Sequence, residues 1–311
     1  MLGYTARRLL QAVLVVIGVT VATFLLMHVE PGDPARVVLG LHASPRAIAA
    51  LNAQWGLDSS LPAQLWHYLD QLAHGNLGQS YINKVSVSSL IGARIGVTAA
   101  LVGVATLFSV AITVPLAVLA AASRDRLADH LVRGAAAIGL GMPAFWFGIV
   151  LIEVFAVHLH LLPVGGEGSG FGGALESLVL PATTAALAIV PLLARSLRVG
   201  MIEVLDADFV AAARAKGLPA WRVLFFHAAR NALVPTVTLL GLNIAYLIGS
   251  TVIVEQVFDL NGLGSLLLSS IDNHDFPAVQ STALVLGAAV VAVNLATDLL
   301  AARLDPRIRL G

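Results

Sequence analysis

Residues 95–122 read IGVTAALVGVATLFSVAITVPLAVLAAA, a run without one charged side chain. About 20 mostly apolar residues suffice for a helix to cross a bilayer, and this run exceeds that length. Hydrocarbon offers no partner for a free N–H or C=O, so such a run must satisfy its backbone internally, as a helix does. Five further apolar runs lie on either side of it, at 9–27, 134–157, 178–194, 232–254 and 276–300. None shows the strict apolar/polar alternation of a barrel strand. The reading is an all-α, polytopic membrane protein with six transmembrane helices. The first run follows Arg7 and Arg8, as the core of a signal peptide would. It is long for that purpose, and it ends in Met27-His28-Val29-Glu30-Pro31 with no small-x-small cleavage site, so it is read as a retained span.

Composition points the same way. Hydrophobic residues make up 58% of the chain and charged ones 12%, against about 25% charged in an ordinary soluble domain. The mean hydropathy is +0.88. The formal net charge is zero, so no basic field invites nucleic acid. The chain has no cysteine, which excludes disulfides, iron–sulfur clusters and thiolate zinc sites. With the N-terminus placed in the cytoplasm, only Arg36, Arg46, Lys84 and Arg94 of the 18 Lys and Arg residues fall in outer segments. That bias follows the positive-inside rule and places both termini in the cytoplasm of a multi-pass inner-membrane protein.

The expected organisation is a first span with an extracytoplasmic loop and helix region (1–94), a five-helix core (95–305), and a short cytoplasmic tail (306–311). Segment 30–94 opens with the turn signal Pro31-Gly32-Asp33-Pro34 and holds one predicted helix at 61–74. It reads either as a docking surface or as a cap over the outer helix ends. Segment 157–177 is glycine-rich and starts with His158 and His160, which read as interfacial side chains rather than metal ligands.

The cytoplasmic segment 199–231 carries the main signal. Asp206 and Asp208 stand where acidic residues suit a helix N-terminus, and Arg214 and Lys216 stand in the last turn, where cations suit the C-terminus. Gly217 is placed to end the helix in the left-handed region, and Pro219 bars its continuation. A second helix is predicted over 219–231, with the next span directly after it. Two short helices meeting at a glycine corner, tied at both ends to spans, can turn a push from a cytoplasmic partner into helix tilting. The alternative is a helix-turn-helix lying on the headgroups.

Ala212-Ala213-Arg214-Ala215-Lys216-Gly217-Leu218, with Asn231-Ala232-Leu233-Val234-Pro235 downstream, resembles the EAA loop of binding-protein-dependent ABC importer permeases, most of all the first permease subunit of the dipeptide/oligopeptide branch. Gly56-Leu57-Asp58, Gly75-Asn76-Leu77-Gly78-Gln79-Ser80-Tyr81, Gly141-Met142-Pro143, Glu255-Gln256-Val257-Phe258, Gly262-Leu263-Gly264 and Asp305-Pro306-Arg307 are similar to that branch in order and spacing. Ala211 stands where the general pattern has glutamate, so an acidic contact at that position is not carried over. The resemblance implies a permease fold and a transport subunit without catalytic residues. It also implies a second homologous permease chain, two cytoplasmic ATPase domains that bind ATP and Mg, and an extracytoplasmic substrate-binding protein. The implied cargo is a di- or oligopeptide, with nickel or glutathione carried by relatives. Asp208, Phe209, Ala212, Ala213, Arg214, Ala215, Lys216 and Gly217 would form the ATPase-coupling loop.

The chain itself cannot be a P-loop ATPase. Its only lysines, Lys84 and Lys216, follow Asn83 and Ala215, whereas a P-loop needs Gly-Lys-Ser/Thr. Energy from an ion gradient is the rival reading, and a non-transporting membrane anchor is another. Ionisable residues inside the runs are limited to Glu153 and Asp298, each near a span end, so no midplane proton relay is visible. Asn243, Asn294 and Glu153 are the candidate pathway-lining residues, although the asparagines suit bonding to a neighbouring helix better than lining a pathway.

Overall fold

The computed structural model describes residues 2–29, 32–40, 42–166 and 168–304. The 306–311 tail, the Asp305-Pro306-Arg307 motif and Pro31 lie outside the described residues, as do the side chains of Arg7, Arg8 and Arg214. The described chain is helical throughout, with one isolated antiparallel bridge between Gln79 and Ser86. Its helices are α1 (Leu2–Val29), α2 (Pro34–Leu39), α3 (Pro45–Trp55), α4 (Leu61–Ala73), α5 (Val87–Ala122), α6 (Leu127–Leu140) and α7 (Ala144–Leu151), followed by α8 (Gly170–Leu205), α9 (Asp208–Ala215), α10 (Ala220–Arg222), α11 (Arg230–Val257), α12 (Leu263–Asp272) and α13 (Phe276–Leu304). Two π-helical stretches, Ile152–His158 and Val223–Ala229, extend α7 and join α10 to α11.

Five helices are long and apolar enough to cross a membrane, and a bent pair supplies a sixth crossing if it is counted as one span. That pair corrects the expectation of one continuous span at 134–157. Helix α6 begins earlier, at Leu127, and α6 and α7 meet at 108°. The break has a local cause. Gly141 caps α6 through its N–H to the Ile138 carbonyl, and Pro143 sits at the N-cap of α7 with ψ 145°. A proline keeps the residue before it out of the helical region, so Met142 cannot carry the helix on. Pro115, Pro181 and Pro191 lie inside helices that continue past them. Helices α5 and α8 have 36 residues each, or about 54 Å at 1.5 Å per residue, so both outrun a hydrocarbon core of about 30 Å.

The chain forms two compact units, residues 1–98 with 261–291 and residues 99–260 with 292–311. In the first, Val87, Ile91, Leu263, Leu266 and Ala278 form one apolar cluster, and Met27, Phe276 and Val279 another. Polar contacts of long sequence separation fix its loops. The buried carboxylate of Asp275 accepts from Ser80 Oγ (2.5 Å) and from the Tyr81 N–H (3.0 Å), and Ser281 Oγ donates to the Leu77 carbonyl (2.8 Å). Tyr81 stacks on Trp55 with ring centroids 3.9 Å apart. Burial, aided by the Asp275 charge, raises the Tyr81 hydroxyl above its ordinary range, and burial pushes Tyr68 up to about 12. Helix α3 has an Asx/Ser-type start and a glycine stop: Ser44 Oγ accepts from the Ala47 N–H, Pro45 is the first helical residue, and Gly56 takes a φ of 72°.

The second unit is built around α8. In its most apolar window 67% of residues are buried, against 17–33% in the other single-helix spans, so the others present much of their apolar surface outward. Ala117 and Ala121 of α5, Leu197 and Met201 of α8, and Ala228, Ala229 and Ala232 form one buried cluster. Small residues permit the closest approaches: Gly139 admits Pro191, and Gly241 leaves no room for a Cβ beside Thr297.

Candidate coupling site

The end of α8 is capped through the Asp206 N–H, which reaches the Ile202 carbonyl (3.1 Å). One residue later α9 begins, with Asp208 in its first turn. Val210 is fully buried and Ala213 nearly so, three residues apart on the inward face. Asp208, Ala211, Ala212 and Ala215 recur at i, i+3, i+4 and i+7 and are all exposed, so the outward face of this helix is a strip of alanines. Phe209 beside it is 50% exposed. The Gly217 φ is 77°, and the Leu218 N–H reaches back to the Ala213 carbonyl (3.3 Å), which is the six-to-one bond of a Schellman ending. The left-handed glycine corner expected from the sequence is therefore present. Arg214 lies within α9, its side chain outside the described ones, and Lys216 is exposed beside the corner.

Pro219 starts the return at α10. The predicted second helix is present in altered form: it is α-helical only at Ala220–Arg222, π-helical over Val223–Ala229, and then runs without a break into α11. Trp221, Phe225 and Phe226 point outward, with Trp221 and Phe226 edge to face at 6.1 Å and the Arg222 guanidinium 5.3 Å from the Trp221 ring centre. Val223, Ala228 and Ala229 are buried, the two alanines against α8 and α5. A short exposed helix is thus held at both ends by elements that are themselves packed on spans.

Two ion pairs that sequence reasoning missed brace this region. Arg124, in the turn after α5, donates to Asp206 Oδ2 (2.8 Å), tying that turn to the start of the exposed segment. Both side chains are half exposed, so this bond adds little stability and acts as a tether. Deeper in, Asp129 of α6 is fully buried and Arg198 of α8 grips it with two parallel bonds, Nε to Oδ1 and Nη2 to Oδ2, each 2.6 Å. The Asp125 N–H adds a third bond at 3.0 Å. Such a fork fixes orientation as well as distance. Its only sequence signal was a lone acidic residue at the start of an apolar helix.

The pathway candidates are scattered. Glu153 is exposed on the first π-helical stretch, 3.4 Å from His158 Nδ1. Asn243 Nδ2 donates to the Leu239 carbonyl of its own helix (2.8 Å). Asn294 Oδ1 is buried with no hydrogen-bond partner among the described residues. Among the described residues no three His, Cys, Asp or Glu side chains gather closely enough to hold a metal ion.

Residues 113–310 match the family described as binding-protein-dependent transport system inner membrane component, and residues 1–102 match the N-terminal region of such membrane components. The probable D,D-dipeptide transport system permease protein DdpB of Escherichia coli is 40% identical, over 96% of this chain and 95% of that protein. The glutathione transport system permease protein GsiC of Salmonella typhimurium is 36% identical over 99% of both. Among solved structures, the MetNI methionine ABC transporter in an inward-facing form matches with a TM-score of 0.59 and 17% identity, covering 70% of this chain and 96% of that one, a likeness of fold. The chain belongs to the binding-protein-dependent transport system inner membrane components and is a multi-pass permease subunit of an ABC importer.

Proposed function

We propose that this permease moves di- or oligopeptides inward, powered by two cytoplasmic ATPase domains that act on α9. The observation that carries the proposal is the exposed alanine strip of α9, a thin helix stopped by Gly217 and packed on α8 and on the π-helical stretch that runs into α11. A thin, rigid helix fits a groove on a partner, and its anchorage turns movement of that partner into movement of the spans. In this account ATP and Mg are bound by the partner, and closure of the ATPase pair opens the pore outward. Hydrolysis then resets it. A second homologous permease completes the pore, and an extracytoplasmic binding protein delivers the cargo.

The distribution of Lys and Arg supports cytoplasmic termini, with α9 on the cytoplasmic side and α2 to α4 outside. The dipeptide- and glutathione-named relatives support a short peptide as cargo, glutathione being itself a small peptide. Residues 30–94 are proposed to receive the binding protein. The test is uptake of a labelled dipeptide and of labelled glutathione into proteoliposomes holding this chain with its partner chains. Uptake that needs both ATP and the binding protein is expected. Uptake that runs on an imposed ion gradient without ATP would make the chain a secondary carrier instead.

A further inference from the structure

Between α6 and α8 runs a groove of about 350 Å³ that the coupling account does not use. Its floor is made of small side chains, Ala136 and Ala137 on one helix and Ala194 on the other, and Leu140 closes its deep end. Alanines on facing helices leave a trough because neither side chain reaches across. At the shallow end stand Arg133, Arg195 and Arg198. Two carboxylates stand near them: Asp129, whose oxygens Arg198 and the Asp125 N–H already occupy, and Asp125, which lies 3.7 Å from Arg124 and acts on Arg198 through its charge. Arg133 lies 3.9 Å from that carboxylate and donates to His130 Nδ1, and its side chain is 46% exposed. Arg195 is exposed and has no ion pair among the described residues. The shallow end is therefore net positive, and two guanidinium groups remain there for an outside anion.

We infer that this groove binds one anionic phospholipid, its phosphate held by Arg133 and Arg195 and an acyl chain lying along the alanine floor toward Leu140. From Arg133 to Leu140 the helix rises about 10 Å, which carries the trough from a headgroup layer into the hydrocarbon. An apolar trough alone would accept any lipid tail. Paired arginines at its mouth select for headgroup charge, the pattern of basic pockets between helices that hold anionic lipids. In the orientation proposed above this is the inner leaflet. The lipid assignment itself needs only that these helix ends lie at a headgroup layer, so its failure would leave the transport reading untouched.

The test uses the intact chain, with the partner subunits that co-purify, in nanodiscs containing phosphatidylglycerol or phosphatidylcholine that carries a photoreactive group in the acyl chain. Labelled segments are mapped by mass spectrometry. Phosphatidylglycerol should label residues 132–140 and 194–199 several-fold more than phosphatidylcholine. Arg133→Ala with Arg195→Ala should bring it down to the phosphatidylcholine level, a several-fold drop that abolishes the preference. Arg133→Lys with Arg195→Lys should keep the preference, which separates loss of charge from loss of fold. Labelling of the exposed apolar face of α1 around Leu10 and Leu14 should not change in any variant. Equal labelling by the two lipids would overturn the assignment, as would a peptide of the second permease cross-linked into the groove in place of lipid.

Discussion

Gly217→Pro will reduce ATP-driven uptake to background in a complex that still assembles. The Gly217 φ is 77°, and proline is locked near −65°, so the Schellman ending cannot form and α9 loses its fixed angle to α10. The same position grades other residues. A Cβ at Gly217 meets nothing within 4 Å, so alanine suffers only the left-handed backbone, a cost of about 1 kcal/mol. Asparagine tolerates that region better and should retain most of the uptake. The order glycine, asparagine, alanine, proline in uptake rate, measured on complexes of equal abundance, is the expected result. A flat series would mean that the corner does no mechanical work.

Arg198→Ala will destabilise the protein by about 2–3 kcal/mol, because the Asp129 carboxylate loses its two charge-assisted bonds and keeps only Arg133 nearby as a cation. Arg133 stands 3.9 Å away and is half exposed, too distant to replace a bidentate pair at 2.6 Å. Replacing both partners together, Asp129→Leu with Arg198→Met, should recover most of that loss, since a buried pair exchanged for apolar packing is often neutral. Unfolding in detergent, followed by denaturant or heat, gives the comparison. A loss under about 1 kcal/mol for Arg198→Ala would show that water reaches the pair.

What could be read from the sequence was what local chemistry decides. Charge-free runs had to be helices, and Asp208, Gly217 and Pro219 marked the limits of α9 because capping involves residues within one turn of each other. The break between α6 and α7 was also written locally, in Gly141-Met142-Pro143, but continuous hydropathy across it concealed the bend. The π-helical stretches left no comparable mark: Val223–Ala229 has no glycine or proline, and its register follows from packing against α8 and α5. Helices α2, α3 and α12 were passed over because they are short and compete with longer apolar runs, although Ser44, Pro45 and Gly56 did mark the limits of α3. Pairings such as Ser80 with Asp275, and Asp129 with Arg198, join residues far apart in the chain, and no periodicity encodes them. For the same reason the first unit, which joins residues 1–98 to 261–291, could not be assembled from the sequence.

The most direct measurement of the coupling role is single-cysteine cross-linking at the alanine strip. The chain has no cysteine, so Ala212→Cys introduces one defined thiol on an exposed position. If α9 seats in the ATPase, a short bifunctional reagent will join Cys-substituted Ala212 to the ATPase chain in the intact complex. A bulky maleimide at the same thiol will stop ATP-driven uptake. If the thiol takes the bulky label with uptake unchanged, and no cross-link to the ATPase forms, α9 lies on the headgroups and the coupling account is wrong.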